Sequence, residues 1–336
     1  MKRTIGTIAR TALAAIAMQA GTACGEAVKE TVEINDGKYV LTVNLDSGAG
    51  LNMTTKAALD EAGETSINNV QIFVFNDDGS LDSYHSGGKS SAIRIRCTAG
   101  SKRVFAIVNA PDLNGQTDST ALLSQTSRLT DNRLDNFVMA GRVSATLPND
   151  VSVNVKVNRI VSRVCINSIS TAFTSDGYSK LPFSIKSIYM INVAGDTDYG
   201  MSATPKTWHN MAGHKDTSLD ALLHAEVNKP IAAGSTLQAG QYFYVYPNPV
   251  TEENAEGSAG TNFLTKLVVE ASLDGHTCYY TISLPDLQSN KTYTISSLTI
   301  TRPGSDNPDE EITSEECPFS IEVEDWINSP EQNIVI

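Results

Sequence analysis

Apolar and polar residues alternate along most of this chain, and the alternation is clearest at Lys38–Asp46. A period of two residues predicts a β-strand with one buried face. The inward-facing residues would be Tyr39, Leu41, Val43 and Leu45. Burial of each such side chain is worth about 1.5–3 kcal/mol, so their sum is comparable with the whole stability of a domain, roughly 5–15 kcal/mol. A domain that lost this strand would have to cover the exposed groove with another strand.

The connection after this strand, residues 47–68, is longer than most loops in compact domains, which span about 4–6 residues. It begins with Ser-Gly-Ala-Gly, a flexible sequence. Its single basic residue is Lys56, which makes Lys56 the candidate site for a trypsin-like protease. A solvated loop lysine is the alternative interpretation.

The same strand pattern continues to the end of the chain, with turn signals between the strands. Further predicted strands lie at 69–75, 92–97, 102–109, 137–142, 151–157, 158–170, 181–193, 241–246, 263–273, 277–284 and 291–301. The final strand, 319–326, would set Phe319, Ile321 and Val323 on one face. Short helices are predicted in loops at 55–62, 118–129 and 219–226.

These elements indicate an all-β protein made of two β-sandwiches. A stretch at 171–180 rich in Ser, Thr and Gly predicts the boundary, with domains at 38–175 and 176–336. The strand at 158–170 would then be the last of the first domain. The 336 residues, of which 40% are hydrophobic, suffice for two domains with real cores.

The first 23 residues are organised like an export signal. Basic residues come first, an apolar stretch at 11–20 follows, and this stretch is too short to span a bilayer. Small residues immediately before Cys24 resemble a bacterial lipobox, in which Cys24 would carry lipid and begin the mature chain. Gly21 departs from the usual leucine, so an ordinary secretory signal cut near Ala23 is the alternative. Residues 24–37 would form a flexible tether.

The charge of the chain argues against nucleic acid as a partner. The formal net charge is -13, and the sequence contains no run of basic residues of the kind that binds phosphates. The acidic charge therefore favours partners other than nucleic acid.

Residues suited to catalysis or metal binding form no recognisable set. His209, His214 and His224 lack the spacing of a metal site on a helix. The Gly-Gly-Lys-Ser sequence at 87–90 lacks the upstream glycine of a phosphate-binding loop. We therefore predict no enzymatic activity, no metal and no cofactor.

The cysteines other than Cys24 are scattered along predicted strands. They are Cys97, Cys165, Cys278 and Cys317. Their spacing excludes Cys-x-x-Cys zinc and redox sites. An exported chain permits disulfides, and buried free thiols are equally common in strands, so both states stay open.

Four segments, taken in order, resemble the FimA-type major fimbrial subunits of Bacteroidales, the type V pilins. They are the strand and Asp-Gly turn at 69–79, the run from 95–100 into 104–109, the strand at 159–163, and the run from 291–301 through 303–308 to 323–326. The resemblance implies two tandem transthyretin-like β-sandwich domains and export as a lipoprotein. It also implies maturation by proteolysis after the first strand.

In such a family member, Lys38–Asp46 would be the strand that is removed. Residues 319–336 would supply the donor that fills the groove of a neighbour, with Phe319, Ile321 and Val323 inward. The implied partners are copies of the chain, other fimbrial subunits and, before maturation, the outer membrane through the lipid. The implied location is a cell-surface fimbrium.

Two alternatives stay open. Oral members of the family are cut after an arginine, which the loop here lacks, so an uncut subunit that serves as an anchor is one. A surface adhesin that binds host ligands or glycans is the other. Its sugar-stacking candidates are Tyr242, Tyr244, Tyr246, Tyr279 and Tyr280.

Overall fold

β-Strands account for nearly all of the regular structure, which confirms the all-β prediction. The computed structural model describes residues 33–34, 38–47, 61–201, 204–211, 219–252 and 263–326, and all of them belong to one compact unit. In this part of the chain, no helix is long and apolar enough to cross a membrane.

The strands of the first half begin before the long loop and end at Arg159. They are β1 (Glu33–Ile34), β2 (Lys38–Asp46), β3 (Asn69–Asn76), β4 (Leu81–Gly88), β5 (Ala92–Cys97), β6 (Gly100–Val108), β7 (Thr126–Arg128), β8 (Met139–Leu147), β9 (Ser152–Lys156) and β10 (Asn158–Arg159). The helices of this half are α1 (Glu61–Thr65), α2 (Ser119–Leu123) and a 3-10 turn at Leu129–Asp131.

The second half repeats the pattern of strands joined by short loops. Its strands are β11 (Ser162–Thr171), β12 (Phe183–Ile191), β13 (Val193–Ala194), β14 (Asp196–Asp198), β15 (Trp208–His209), β16 (His224–Pro230), β17 (Thr236–Val245), β18 (Thr265–Leu273), β19 (His276–Leu284), β20 (Lys291–Ile300) and β21 (Phe319–Asp325). Two short helices, α3 (Asp176–Ser179) and α4 (Asp220–Leu223), lie between them.

The first sandwich packs a sheet of β1, β2, β5 and β9 against a sheet with the order β10-β8-β6-β3-β4. Its core lies between them: Leu41 and Val43 of β2 belong to the same buried cluster as Ile72 and Val74 of β3. The alternation predicted for these strands has its physical reason here, because only one face of β2 meets the opposite sheet.

Strand β3 is apolar at almost every position because both of its faces are covered. Val70, Ile72 and Val74 face the first core, whereas Phe73 and Phe75 belong to a larger cluster that extends through the second half. Continuous hydrophobic runs of this kind are typical of strands buried on two sides.

The second sandwich consists of sheets with the orders β17-β11-β20-β21 and β16-β12-β18-β19. Strand β11 lies antiparallel to β17 and parallel to β20. The predicted hairpin at Asp274 and Gly275 joins β18 to β19, and both residues have positive φ, 51° and 85°. Strand β21 is the edge of its sheet and pairs with β20 alone among the described strands.

Strand pairing moves the predicted domain boundary. The segment predicted to end the first domain contains β11, and β11 is a central strand of the second sandwich. The change of sandwich therefore falls between Arg159 and Ser162 instead of between residues 175 and 176. The stretch at 171–180, predicted as the boundary between domains, is instead a connection within the second sandwich, and part of it folds as α3.

The predicted helix at 118–129 was wrong over most of its length. Asp118 caps α2 by accepting a hydrogen bond from the Ala121 N–H at 2.8 Å, but α2 ends at Leu123. Strand β7 follows and pairs with β14 of the second half. This long-range pairing outweighs the local helical preference of the segment.

Candidate functional site

Strand β2 occupies a groove between two neighbours in its sheet. On one side it lies antiparallel to β5, with Leu41 opposite Ile95 and Val43 opposite Ile93. On the other side it lies parallel to β9, from Thr42 opposite Ser152 onward. Removal of β2 would therefore leave two rows of unpaired backbone groups, one on β5 and one on β9.

The inward face of β2 fills this groove with apolar side chains. Leu41 and Val43 are fully buried, Leu45 is 9% exposed at the rim, and Tyr39 is half-buried against the same core. The three buried side chains contribute about 1.5–3 kcal/mol each. The groove is thus apolar enough that its exposure would cost a large part of the stability of a domain.

The outward face of β2 is fastened to β9 by polar contacts. The Asn44 side-chain amide donates hydrogen bonds to Ser152 Oγ at 3.0 Å and to Asn154 Oδ1 at 3.1 Å. On the other side, Arg94 and Arg96 of β5 project outward and are exposed. The outer rim of the groove is therefore polar on the β9 side and basic on the β5 side.

The described chain resumes with α1 at Glu61. This helix packs closely against the first sandwich. A Cβ placed at Gly63 would lie 2.8 Å from the Leu134 carbonyl oxygen. Only glycine fits this approach, and it fixes the position of its neighbour Glu64. The Ser47 hydroxyl, at the end of β2, donates to the Thr65 carbonyl at 3.1 Å, so the two ends of the loop lie close together.

Glu64 is the centre of a buried polar cluster, here called the Glu64 cluster. Its members are Glu64, Arg159, Arg163, Tyr244 and Trp326. The Glu64 carboxylate, only 2% exposed, accepts hydrogen bonds from Arg163 Nη1 at 3.0 and 3.2 Å, from the Tyr244 hydroxyl at 2.7 Å and from Trp326 Nε1 at 3.2 Å. Arg159 Nε donates to the Glu64 carbonyl oxygen at 2.8 Å.

Aromatic packing completes the Glu64 cluster. The guanidinium groups of Arg159 and Arg163 lie 4.3 and 4.8 Å from the centre of the Trp326 ring. The rings of Tyr244 and Trp326 stack at 5.7 Å. Buried charges need partners of this kind because an unpaired one is costly. The cluster joins the segment that follows the loop to the residue that follows β21.

Burial shifts the titration of two cluster members. Desolvation, the nearby negative charge of Glu64 and the hydrogen bond to it raise the pKa of Tyr244 above its usual value, so the phenol stays protonated and donates to the carboxylate. Desolvation lowers the pKa of Arg159 to about 10, and the attraction of Glu64 opposes that shift. Both groups keep the protonation state that the hydrogen bonds require at neutral pH.

Strand β21 itself is less buried than β2, although Trp326, directly after it, is held in the Glu64 cluster. Phe319 and Ile321 are half-buried and pack against the large core, but Val323 is 53% exposed. The far end of this edge strand extends past the core, so Val323 has less to pack against than Phe319 and Ile321. An ion pair between Lys291 Nζ and Asp325 Oδ1 at 2.5 Å fastens this end to β20.

The structure places β2 and β21 in different sandwiches, so the predicted groove and donor residues are not brought together within one chain. Cys24, Lys56 and the tail at 327–336 lie outside the described residues. No pattern in the sequence pointed to Glu64 as the centre of a buried cluster. Trp326, directly after an alternating strand, was the one signal that could have directed attention to the cluster.

The other candidate residues are placed as follows. Cys97, Cys165, Cys278 and Cys317 are all buried and free. His209 ends β15 and His224 begins β16, while His214 lies outside the described part. Within that part, no three His, Cys, Asp or Glu side chains lie close enough together to hold a metal ion.

Three of the five candidate sugar-stacking tyrosines have no exposed ring face. Tyr244, Tyr246 and Tyr280 are buried. Tyr246 is fixed by hydrogen bonds with Ser127 and Asn132 at 2.8 and 3.0 Å. Tyr244 of β17 and Tyr246 directly after it therefore belong to the core.

Comparison with models of protein families gives a match over part of the chain. A sequence profile of the major fimbrial subunit protein (FimA) matches residues 40–198. No curated protein matches the chain in sequence. The matched range contains most of β2 and every other strand of the first sandwich except β1.

Solved structures share the fold. A Bacteroides eggerthii protein named for a proposed role in cell adhesion superposes with a TM-score of 0.64 at 17% identity, over 85% of this chain and 95% of that one. A fimbrilin (FimA) of Porphyromonas gingivalis W83 gives 0.59 at 15% identity, over 86% and 97%. The tip fimbrial protein Mfa3 of Porphyromonas gingivalis, truncated at its C-terminus, gives 0.52 at 11% identity, over 85% and 99%.

At these identities the structural similarity shows the fold, and the sequence profile adds a match over part of the chain. Residues 40–198 of the chain match the family of the major fimbrial subunit protein (FimA).

Proposed function

We propose that this protein is a structural pilin subunit of a cell-surface fimbria and that it polymerises by strand exchange. Cleavage in the loop after β2, with Lys56 as the candidate site, releases β2 from its groove. Residues 319–336 of a neighbouring copy then fill the groove. The observation that carries the proposal is the contrast between β2, a central strand, and β21, an edge strand.

The physics of an emptied groove supports this exchange. Unpaired backbone groups on β5 and β9, together with the apolar floor beneath Leu41 and Val43, form a template that accepts an extended strand. Another β-strand satisfies both requirements at once. Because the groove and the donor lie on different parts of the subunit, each contact is head-to-tail and does not close, so the product is a filament.

For strand β21 to leave its place, Trp326 has to leave the Glu64 cluster, but the strand itself has few contacts. It pairs with one described strand, β20, whereas β2 pairs with strands on both sides. Its exposed Val323 gains burial if it enters an apolar groove. We further propose that the precursor is exported and anchored by lipid at Cys24, and that the protein's role is structural rather than catalytic.

The test is assembly after controlled cleavage. Trypsin treatment of the purified protein should give a ladder of oligomers on gels run without boiling. Lys56→Ala should prevent the ladder, and Lys56→Arg, the matched control, should preserve it. A deletion of residues 319–336 should abolish it. Clean monomer after confirmed loss of β2, at every concentration, would contradict the proposal.

The alternative of an uncut anchor subunit has one supporting observation, the absence of arginine from the loop. N-terminal sequencing of protein extracted from the cell surface distinguishes the two. A mature start near Ala57 indicates a polymerised subunit, and a start at Cys24 indicates an uncut, lipidated one.

A further inference from the structure

The two arginines on the β5 side of the groove lie opposite uncharged residues of the strand that now fills it. Arg94 and Arg96 project outward from β5, and in register they lie opposite Thr42 and Val40 of β2. The single acidic residue of β2, Asp46, lies at the other end, opposite Lys156 of β9. The resident strand thus offers neutral residues where the groove offers two arginines.

Strand β21 shows the converse mismatch. Its outward residues Glu322 and Glu324 are exposed, and in register they lie opposite Thr294 and Thr292 of β20. The charged contact of this strand to β20 comes from Asp325 instead, which pairs with Lys291. The two glutamates therefore face neutral partners across the strand pair.

The inward residues of the two strands follow the same order. An aromatic residue, a γ- or β-branched aliphatic residue and a valine alternate with outward positions in both: Tyr39, Leu41 and Val43 in β2, and Phe319, Ile321 and Val323 in β21. If Phe319 takes the place of Tyr39, Glu322 takes the place of Thr42, directly opposite Arg94. Arg96 and Lys156 then lie on the diagonals of Glu322 and Glu324.

We propose that Arg94 and Arg96 of one copy and Glu322 and Glu324 of the next select the donor strand and fix its register during assembly. This inference rests on the strand exchange proposed above and names the residues that make it specific. Because side chains alternate across a strand, every register that keeps Phe319 inward also keeps both glutamates outward, but only some of these registers place a glutamate opposite Arg94 or Arg96.

The alignment also predicts where the match ends. The position of Leu45 would receive Asp325, and a carboxylate is unsuited to an apolar pocket. Leu45 lies at the rim, so β21 can leave the groove there after three inward positions. A shift by two toward Asp46 would move both glutamates past the positions opposite the arginines, and the charge pairs oppose it. A shift by two toward Lys38 would place Asp325 at the buried position of Val43, and the cost of burying a carboxylate opposes it.

The experiment is a charge swap within one chain. A lysine-specific endoprotease cuts the loop at Lys56, and arginine substitutions add no site for it. The variants are R94E/R96E, E322R/E324R and the combination of all four. Cross-strand charge pairs change an equilibrium by about 1.5–5-fold each, so each double variant should slow polymer growth by about tenfold or more. The combination should restore growth to within about twofold of the original protein.

A matched control separates specific pairing from net charge. K186E/K229E makes the same change in charge on exposed positions of β12 and β16, and it should leave polymer growth unchanged within about twofold. Growth of the unaltered protein should also slow as salt rises, since exposed charge pairs are screened over about 10 Å at 0.1 M. Thermal unfolding of each uncut variant confirms that it folds.

The outcomes are distinct. If the cut original protein polymerises and both double variants polymerise equally fast, this inference is overturned and strand exchange is left intact. A failure of the combined variant to recover, with both double variants slow, also overturns it. If the cut original protein loses β2 and forms no polymer, strand exchange itself is contradicted, and the charge pairing with it.

Discussion

Strands β2 and β21 have the same alternating sequence pattern and opposite structural situations. Strand β2 is bonded on both sides and buries Leu41 and Val43 completely. Strand β21 is bonded on one side and leaves Val323 53% exposed. An alternating pattern therefore shows that a strand has one apolar face, but it does not show how much of that face is buried in a given fold. The structure thus contrasts a central strand that fills an apolar groove with an edge strand that is partly exposed.

The largest effect should come from truncation of the inward face of β2. Leu41→Ala leaves a cavity in the first core, and we expect it to lower the free energy of unfolding of the uncut protein by about 2–5 kcal/mol. Val323→Ala on β21 should change it by no more than about 0.5 kcal/mol, since exposed positions tolerate substitution. Urea unfolding measures both values. Equal losses in the two variants would show that the strands do not differ as the structure indicates.

The sequence predicts local strands well but not the pairing of distant segments. Strand β2 was predicted with the bounds that the structure has, because a period of two within nine residues is a local signal. The pairing of β11 with β20 and of β7 with β14 depends on contacts between distant segments. Those pairings overturned the predicted boundary at 175 and the helix at 118–129.

The Glu64 cluster was out of reach for the same reason. Glu64 and Trp326 are 262 positions apart in sequence, and a glutamate in a short helix shows no property that distinguishes it from a solvated one. Only the fold brings its carboxylate next to Arg163 and Tyr244. Sequence patterns predict which face of a strand is apolar, whereas buried polar sites of this kind depend on the tertiary arrangement.

A second prediction concerns the contact between the loop end and the end of β21. Glu64→Gln keeps the shape of the side chain but removes the charge beside Arg163, and loss of a hydrogen-bonded charge of this kind costs about 1.5–3 kcal/mol. Glu322→Gln, on the exposed face of β21, is the matched control and should have an effect below about 0.5 kcal/mol.

Fluorescence should show where the loss in Glu64→Gln occurs. With Trp208→Phe as background, Trp326 is the remaining tryptophan, and its emission should shift to longer wavelength as the ring becomes exposed. An unchanged spectrum together with lowered stability would mean that Glu64 supports α1 without holding the end of β21.

The third prediction uses pH to compare the groove with the rest of the molecule. Burial raises the pKa of the Cys97 thiol, which lies opposite Tyr39 of β2, from 9.0 to about 12. In the unfolded chain the thiol ionises near pH 9, while in the folded protein it stays protonated. Its contribution is therefore complete below pH 9 and is lost as the pH rises toward 12. The slope is at most about 1.4 kcal/mol per pH unit.

Cys97→Ala should remove this slope. The measurement is the free energy of unfolding at several pH values between 9 and 12, for the variant and the original protein. Tyr199 makes a similar contribution from the second half, because burial raises its pKa to about 12, and it remains in both proteins. The difference between the two pH curves therefore isolates the thiol. Parallel curves would show that the Cys97 site is open to water with β2 in place.

The smallest effect should come from giving β2 the charge that β21 carries. Thr42→Glu places a carboxylate directly opposite Arg94, and a cross-strand pair of opposite charge is worth about 0.2–1 kcal/mol. The uncut protein should become more stable by that amount at low salt and lose the gain at high salt. Thr42→Gln, of the same size without charge, should show no such salt dependence. After cleavage the altered β2 should also leave its groove more slowly. A destabilised Thr42→Glu protein would mean that Arg94 is already compensated in the resident state, and the advantage of the incoming strand over β2 would then have to come from its apolar side chains alone.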